Sequence, residues 1–402
     1  MTTTTDTNKL RVVIAGGGVA AIETALALAH LAAELTDVTV IAPNSEFVYR
    51  PMTVREPFAH GAARRYPLAP IVKDAGAELL VGALASVEPA RRIAHTEAGE
   101  EIEYDALVLA LGAKAHARYR HAVTIDDRRL DETLHGLIQD VEGGYIHSLA
   151  FVSPGRMPWQ LPLYEIALMT TGRAYDMGIE LSTTIITPED SPLAIFGATA
   201  SSAVAAALDR AKIQRITSAY AEVPSQGEVV INPGDRHLHV DRVIALPELY
   251  GPSVRGIPLG DHGFIRVDPH GRVADIEHVY AAGDAIDFPV KHGGLSAQQA
   301  DAAAQSIAAL AGADVTPEPF QPVIHGMLLT DGKPLYLTAR ITGGRGFDSE
   351  VNDKATWSPP SKIAARYLAP YLDEHDKRHA VSGAPGSDAP VRGAAETAGS
   401  ST

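Results

Sequence analysis

Cysteine is absent from the 402 residues. Its absence removes disulfides, thiolate metal sites, cysteine nucleophiles and any dithiol relay. Positive charge is also short: Lys and Arg number 34 against 49 Asp and Glu, a net charge of −15. That balance argues against nucleic acid as a partner. Long hydrophobic runs are missing too, because Glu23, His30 and Glu34 interrupt the longest candidate, so no membrane-spanning helix is expected. Met1 to Asn8 is Thr-rich and polar and lacks the charged start and apolar middle of a secretory signal, which makes the cytoplasm the expected compartment. No histidine, aspartate or glutamate spacing suggests a metal site; His237 and His239 read as a strand-surface pair. What remains is 46% apolar and 21% charged, the make-up of a globular chain with a large core and room for two or three domains.

The first legible unit is a βαβ. Leu10 to Ala15 reads as a strand, Gly16-Gly17-Gly18 as a turn, Ala20 to Leu35 as a helix without Pro or Gly, and Val38 to Ala42 as the next strand. Such an order implies a parallel sheet with a right-handed crossover. Strand-like runs follow at 77–81, 84–87, 92–96 and 106–111, the last closed by Gly112. A second αβ rhythm occupies 118–258, with strands at 148–152 and 182–186 and helices at 161–177 and 198–211. Val279 to Ala282 leads into Gly283-Asp284 and an Ala-rich helix from Leu295 to Ala311. A short amphipathic helix is expected over Lys362 to Leu372, and the Gly-, Pro- and Ser-rich tail beyond reads as disordered.

Gly16-x-Gly18-x-x-Ala21 between a strand and a helix carries the strongest chemistry. The first glycine permits the tight turn, the second lets the backbone approach a pyrophosphate, and small Ala21 lets the helix pack on the strand. The helix N-terminus adds free N–H donors for an anion. One departure is plain: where an acidic residue should hold ribose hydroxyls, Ala42 and Pro43 stand, leaving Asn44 or Glu46 as substitutes or as simple turn residues.

Two further segments, Tyr104-Asp105-x-Leu107-Val108-x-Ala110-x-Gly112 and Tyr280-Ala281-Ala282-Gly283-Asp284, follow in order. With them the chain resembles the pyridine nucleotide–disulfide oxidoreductase superfamily of flavoproteins. Ser153 to Gln160 keeps one glycine, adds bulky residues and places prolines where N–H donors are needed, which argues against tight NAD(P)H binding in the middle domain. That altered turn, with Pro162 to Glu165, Thr187-Pro188, Phe196-Gly197 and 357–372, resembles the sulfide:quinone oxidoreductase and flavocytochrome c sulfide dehydrogenase branch. The missing cysteines depart from that branch, which traps sulfur on redox cysteines.

The resemblance implies an α/β fold with two Rossmann-like domains, an FAD domain from 9–115 and 260–330, a degenerate second domain over 116–259, a C-terminal module over 331–375, and a tail over 376–402. It implies FAD contacts from Gly16, Gly18, Ala21, Asn44, Leu84, Asp105, Gly112, Gly283, Asp284 and Leu295. Lys291 is expected to add positive charge at the start of the last long helix, and Glu165, in a first helical turn, to exchange protons. His292 reads as a cap, and Trp159, Tyr164 and His325 as candidates near a planar acceptor, with core packing the competing role of the first two. The implied function is two-electron transfer from a small reduced donor through FAD to an acceptor such as a quinone. The alternatives are an NAD(P)H:quinone oxidoreductase and a flavin-bearing sensor without turnover. Related enzymes rest peripherally on the inner membrane face through C-terminal elements; here docking of that segment on the protein body is the expectation.

Overall fold

The computed structural model describes residues 9–59, 61–155, 159–342 and 345–382. Its α-helices are α1 (Val19–Ala32), α2 (Leu68–Asp74), α3 (Leu130–Glu142), α4 (Leu161–Asp176), α5 (Gly197–Arg210), α6 (Gly293–Leu310) and α7 (Leu368–Ser382). Leu10–Ala15 is a strand because its Val and Ile side chains bury on both faces, the pattern of a sheet covered on both sides. It pairs in parallel with Thr36–Ala42 and with Ala106–Leu109. Val279–Ala281 and Glu78–Val81 complete the five parallel strands, so one sheet is closed by a strand from far along the chain. α1 and α6, both rich in Ala, pack on this sheet through Ala21, Ala25, Leu28, Ala300, Ala304 and Ile307.

A second parallel sheet repeats the theme with Val123–Thr124, Arg242–Ala245, Ser148–Val152, Ser182–Ile186 and Gln214–Ile216. α3, α4 and α5 pack into its apolar cluster. An antiparallel sheet of Val323–Leu328, Leu335–Thr342 and Arg345–Asn352 then docks on this second unit. The boundary expected at 330 therefore falls inside a sheet, because Val323–Leu328 pairs with Leu335–Thr342.

The close approach of the antiparallel sheet has a simple cause. A Cβ at Gly326 would lie 2.5 Å from the Phe196 ring, so only glycine lets the strand lie flat on it. The C-terminal helix also differs from expectation: Ser361 to Tyr367 is non-helical, and α7 runs on to Ser382, past the point where the disordered tail was expected to begin. Leu368 and Leu372 bury against Leu68, Ile71 and Ile22, so this segment docks on the body of the protein. Residues 383–402 of the expected tail lie outside the described residues.

Phe196 is 0% exposed and anchors this junction. Phe196→Ala should cost about 3–5 kcal/mol, read as a lower denaturant midpoint; an unchanged midpoint would show that the sheet does not depend on the ring.

Candidate active site

The carboxyl ends of the first sheet's strands converge on a crevice, the place where open α/β sheets bind ligands. Gly16 follows Leu10–Ala15 with φ +140°, and a Cβ there would stand 2.1 Å from the Ala110 carbonyl oxygen. Only glycine permits that approach. Gly18, by contrast, faces open space: a Cβ on it would meet nothing within 4 Å, and the same holds for Gly112. Gly18 is the residue before α1, whose first-turn N–H groups point out of the helix unpaired within it. Ala21 is 0% exposed and lets α1 lie close on the strand. Asn44 is exposed just past the end of Thr36–Ala42. An open backbone cradle at a helix N-terminus fits the pyrophosphate of a dinucleotide such as FAD.

Gly283 and Asp284 come from the other stretch of chain. Gly283 has φ +78°, and a Cβ would approach Ala20 to 3.1 Å, so this turn presses against α1. The half-buried Asp284 accepts from Ser296 Oγ at 3.5 Å. Burial pushes its carboxyl above the usual range, opposed first by the charge of Lys291. A carboxylate here, able to accept from hydroxyls as it does from Ser296, fits a hydroxyl-bearing ligand.

Lys291 is 5% exposed, with its ammonium 4.1 Å from the centre of the Phe264 ring and donating to the Ile286 carbonyl. Desolvation pushes it down to about 8, while Asp284 and Asp287 pull the other way. His292 caps α6: its Nδ1 accepts from Leu295 N–H at 3.4 Å. Burial pushes this imidazole down to about 3, so it is neutral at physiological pH.

Glu165 lies in the first turns of α4 with its side chain 1% exposed. Oε1 accepts from Lys362 Nζ at 2.6 Å and from Leu329 N–H at 2.8 Å, whereas Oε2 is buried without a partner. Lys362 is itself only 4% exposed. Burial pushes the acid up and the amine down, and each charge opposes the other's shift. The result is a dry acid–base pair able to hold a proton between Oε1 and Nζ. Sequence reasoning missed this pairing, since the partners are 197 residues apart and Lys362 looked like one face of a surface helix.

Rings gather around the His292 cap. Trp159 lies 4.7 Å from the His292 ring and 5.9 Å from Phe196, and His292 also reaches the His325 backbone. His325 in turn lies 4.9 Å from Trp357, which meets Tyr336 at 5.6 Å.

The turn after Ser148–Val152 is where a second dinucleotide would bind. Residues 156–158 lie outside the described residues. Gly155 is exposed, and a Cβ there would stand 2.9 Å from the Tyr220 ring. Glu189, just past Ser182–Ile186, turns inward: Tyr164 O–H donates to its Oε2 at 2.7 Å, and Thr187 Oγ1 donates to the Gln160 side-chain oxygen at 2.7 Å. Burial pushes Glu189 up to about 7. Tyr164 is thus fixed in the core by this bond.

Three expected contacts are not gathered at the crevice in the manner expected. Asp105 stands at the opposite, amino end of the sheet, where the Arg11 guanidinium donates to it at 3.0 Å through both Nε and Nη2. It is an acidic partner for Arg11 and a strand-end anchor, placed at the amino end because it directly precedes Ala106–Leu109. Leu84 begins the antiparallel strand Leu84–Glu88 beside the crevice edge and pairs with Thr96. Leu295 is 0% exposed, and its N–H points to the His292 cap. Among the described residues no cluster of three or more metal-ligating side chains is present, and no helix is long and apolar enough to cross a membrane.

The comparisons agree with this architecture. The Aquifex aeolicus sulfide-quinone reductase is 34% identical over 110 residues, or 26% of this chain and 24% of that protein, so the chain matches about a quarter of the curated relative's length. The solved sulfide:quinone oxidoreductase from Aquifex aeolicus superposes with a TM-score of 0.74 at 19% identity, covering 93% of this chain and 91% of that one. A ferredoxin reductase from Rhodopseudomonas palustris gives 0.64 at 19% identity, covering 83% of each chain. At such identities the structural likeness is one of fold. Residues 10–136 and 165–306 match the pyridine nucleotide-disulphide oxidoreductase family, and the chain belongs to it.

Proposed function

We propose that this chain holds FAD and passes two electrons from a small reduced donor other than NAD(P)H to a quinone, without a cysteine relay. When bound, FAD supplies the two-electron redox chemistry. Gly16, Gly18 and the first turn of α1 would hold its diphosphate, and Asp284 its ribityl hydroxyls. Lys291 and the N-terminus of α6 favour negative charge on the group beside them.

The observation that carries the donor assignment is the carboxylate past the second strand of the middle sheet, which is turned inward. A nicotinamide dinucleotide needs free N–H donors in the turn after Ser148–Val152 and a carboxylate facing its ribose. The turn keeps one glycine, Gly155, and Glu189 faces Tyr164 instead. A quinone as acceptor is supported by the ring cluster of Trp159, His292, His325 and Trp357, together with the dry pair beneath it. Reducing a quinone to a quinol takes two electrons and two protons, and Glu165 with Lys362 can hold one of those protons. Sulfide is the donor named for the Aquifex relative; here any donor must give its electrons directly, because the chain has no cysteine to capture sulfur.

Anaerobic mixing tests the donor assignment. With NADH or NADPH the visible flavin absorbance should stay unchanged over minutes, whereas the protein reduced by dithionite should regain its oxidised spectrum when a short-chain quinone is added. Prompt bleaching by NADH would contradict the reading.

The pair makes its own prediction. Lys362→Met should cost about 3–5 kcal/mol by leaving Glu165 buried without its counter-charge. Because the Glu165 proton affinity is raised in the folded state, the stability of this variant should fall as pH rises above the ordinary glutamate range and recover on acidification. Adding Glu165→Leu should restore much of the loss. Equal stability of Lys362→Met and the parent across pH would remove the pair from the account.

A further inference from the structure

Residues 357–368 form a strap from the ring cluster, past the N-terminus of α6, to α1. Trp357 Nε1 donates to the Ser361 carbonyl at 2.8 Å, and Ile363 N–H donates to the Tyr49 hydroxyl at 2.9 Å. Lys362 stands between these two points. The strap then ends on a charge that α1 has no internal use for. Glu23 is 0% exposed, and Thr24 is the one other polar residue among the buried positions of this helix. Its Oε1 accepts from Tyr367 N–H at 2.9 Å and its Oε2 from Leu368 N–H at 2.6 Å. These are the leading N–H groups of α7, so Glu23 acts as that helix's cap from another element.

Asp301 faces Glu23 from α6. Its carboxyl lies within hydrogen-bonding reach of the Glu23 carboxyl, and its Oδ1 is buried with no donor. Two carboxylates in contact away from water cannot both stay ionised. Glu23 already accepts two N–H groups, so the proton belongs on Asp301. The remaining charged or titratable groups facing the pair are Arg366 and Tyr367 of the strap, with His30 of α1 against the Tyr367 ring at 5.4 Å. Arg366 favours the ionised forms but does not reverse the effect of burial.

We propose that Glu23 and Asp301 are positioning residues: a carboxyl pair sharing one proton latches the strap onto α1 and α6, and so holds Lys362 against Glu165. Nothing in this latch depends on which donor or acceptor the protein uses, so it stands or falls apart from the electron-transfer reading. Burial and the neighbouring Glu23 push Asp301 up to about 8. A raised acid favours the closed form at low pH, and that contribution is lost as pH rises through this value.

The test is hydrogen exchange of the Ile363, Tyr367 and Leu368 amides in the full chain as purified, with the core amides of Val12 and Ile14 as an internal control. Asp301→Asn keeps a donor toward Glu23 that cannot ionise. Comparing it with the parent at the same pH cancels the intrinsic pH dependence of exchange. The two should match near pH 6.5, and by pH 9 the parent's strap amides should exchange about tenfold faster than those of Asp301→Asn. Glu23→Gln should lose strap protection at both pH values. Identical pH profiles for the parent and Asp301→Asn would overturn the latch, as would full strap protection in Glu23→Gln with an intact core. A response confined to Tyr367 and Leu368, with Ile363 unmoved, would overturn the positioning of Lys362. If Glu23→Gln does not fold, the comparison with Asp301→Asn decides the matter.

Discussion

The backbone contact between Gly16 and Ala110 sets the geometry on which the rest depends. No side chain fits between them, since a Cβ on Gly16 would stand 2.1 Å from the Ala110 carbonyl. That approach lets two parallel strands end level, with Ala110 N–H donating to the Ala15 carbonyl at 2.8 Å. Gly283 then closes on α1 from the other side. Segments separated by most of the chain thereby present one backbone cradle, a helix N-terminus and one carboxylate to the same crevice.

Around this cradle, charge is placed where water is not. Glu165 with Lys362, and Glu23 with Asp301, both tie the C-terminal strap to helices from the two sheet units. Buried ionisable pairs seldom add much net stability compared with apolar packing. Their use here is directional: each fixes a strap residue at one place. Lys291, held over Phe264, adds a cation whose charge is tempered by burial. An aromatic face and a backbone carbonyl stabilise it where bulk water would otherwise be needed.

Much of the fold was legible in local pattern. Leu10–Ala15, Ser148–Val152 and Ser182–Ile186 appear where their apolar or β-branched runs end at turn residues, and α4, α5 and α6 begin and end within two residues or so of expectation. α3 was passed over although Leu130, Leu134, Leu137, Ile138 and Val141 line one face and Asp131 and Glu132 stand in its first turn. That period was readable. The glycine turn and Gly283-Asp284 were legible because backbone requirements leave a local mark. Asp105 was misread although chain direction shows its place: it directly precedes Ala106–Leu109, so in a parallel sheet it lies at the amino end, away from the crevice, where Arg11 pairs with it. The partners of Glu165, Glu23 and Glu189 were not readable in the same way. Side chains that meet across long stretches of sequence carry no spacing signal, and a carboxylate in a helix looks the same whether its partner is water, an amine or another acid.

The measurement that tests the central claim most directly is flavin uptake by the purified chain. After removal of any bound chromophore, addition of FAD should give a yellow protein with one flavin per chain and a shifted visible spectrum, and Asp284→Ala should bind FAD far more weakly while keeping its far-ultraviolet circular dichroism. A protein that takes up no flavin, or an Asp284→Ala variant that binds FAD as tightly as the parent, would contradict the assignment of the crevice.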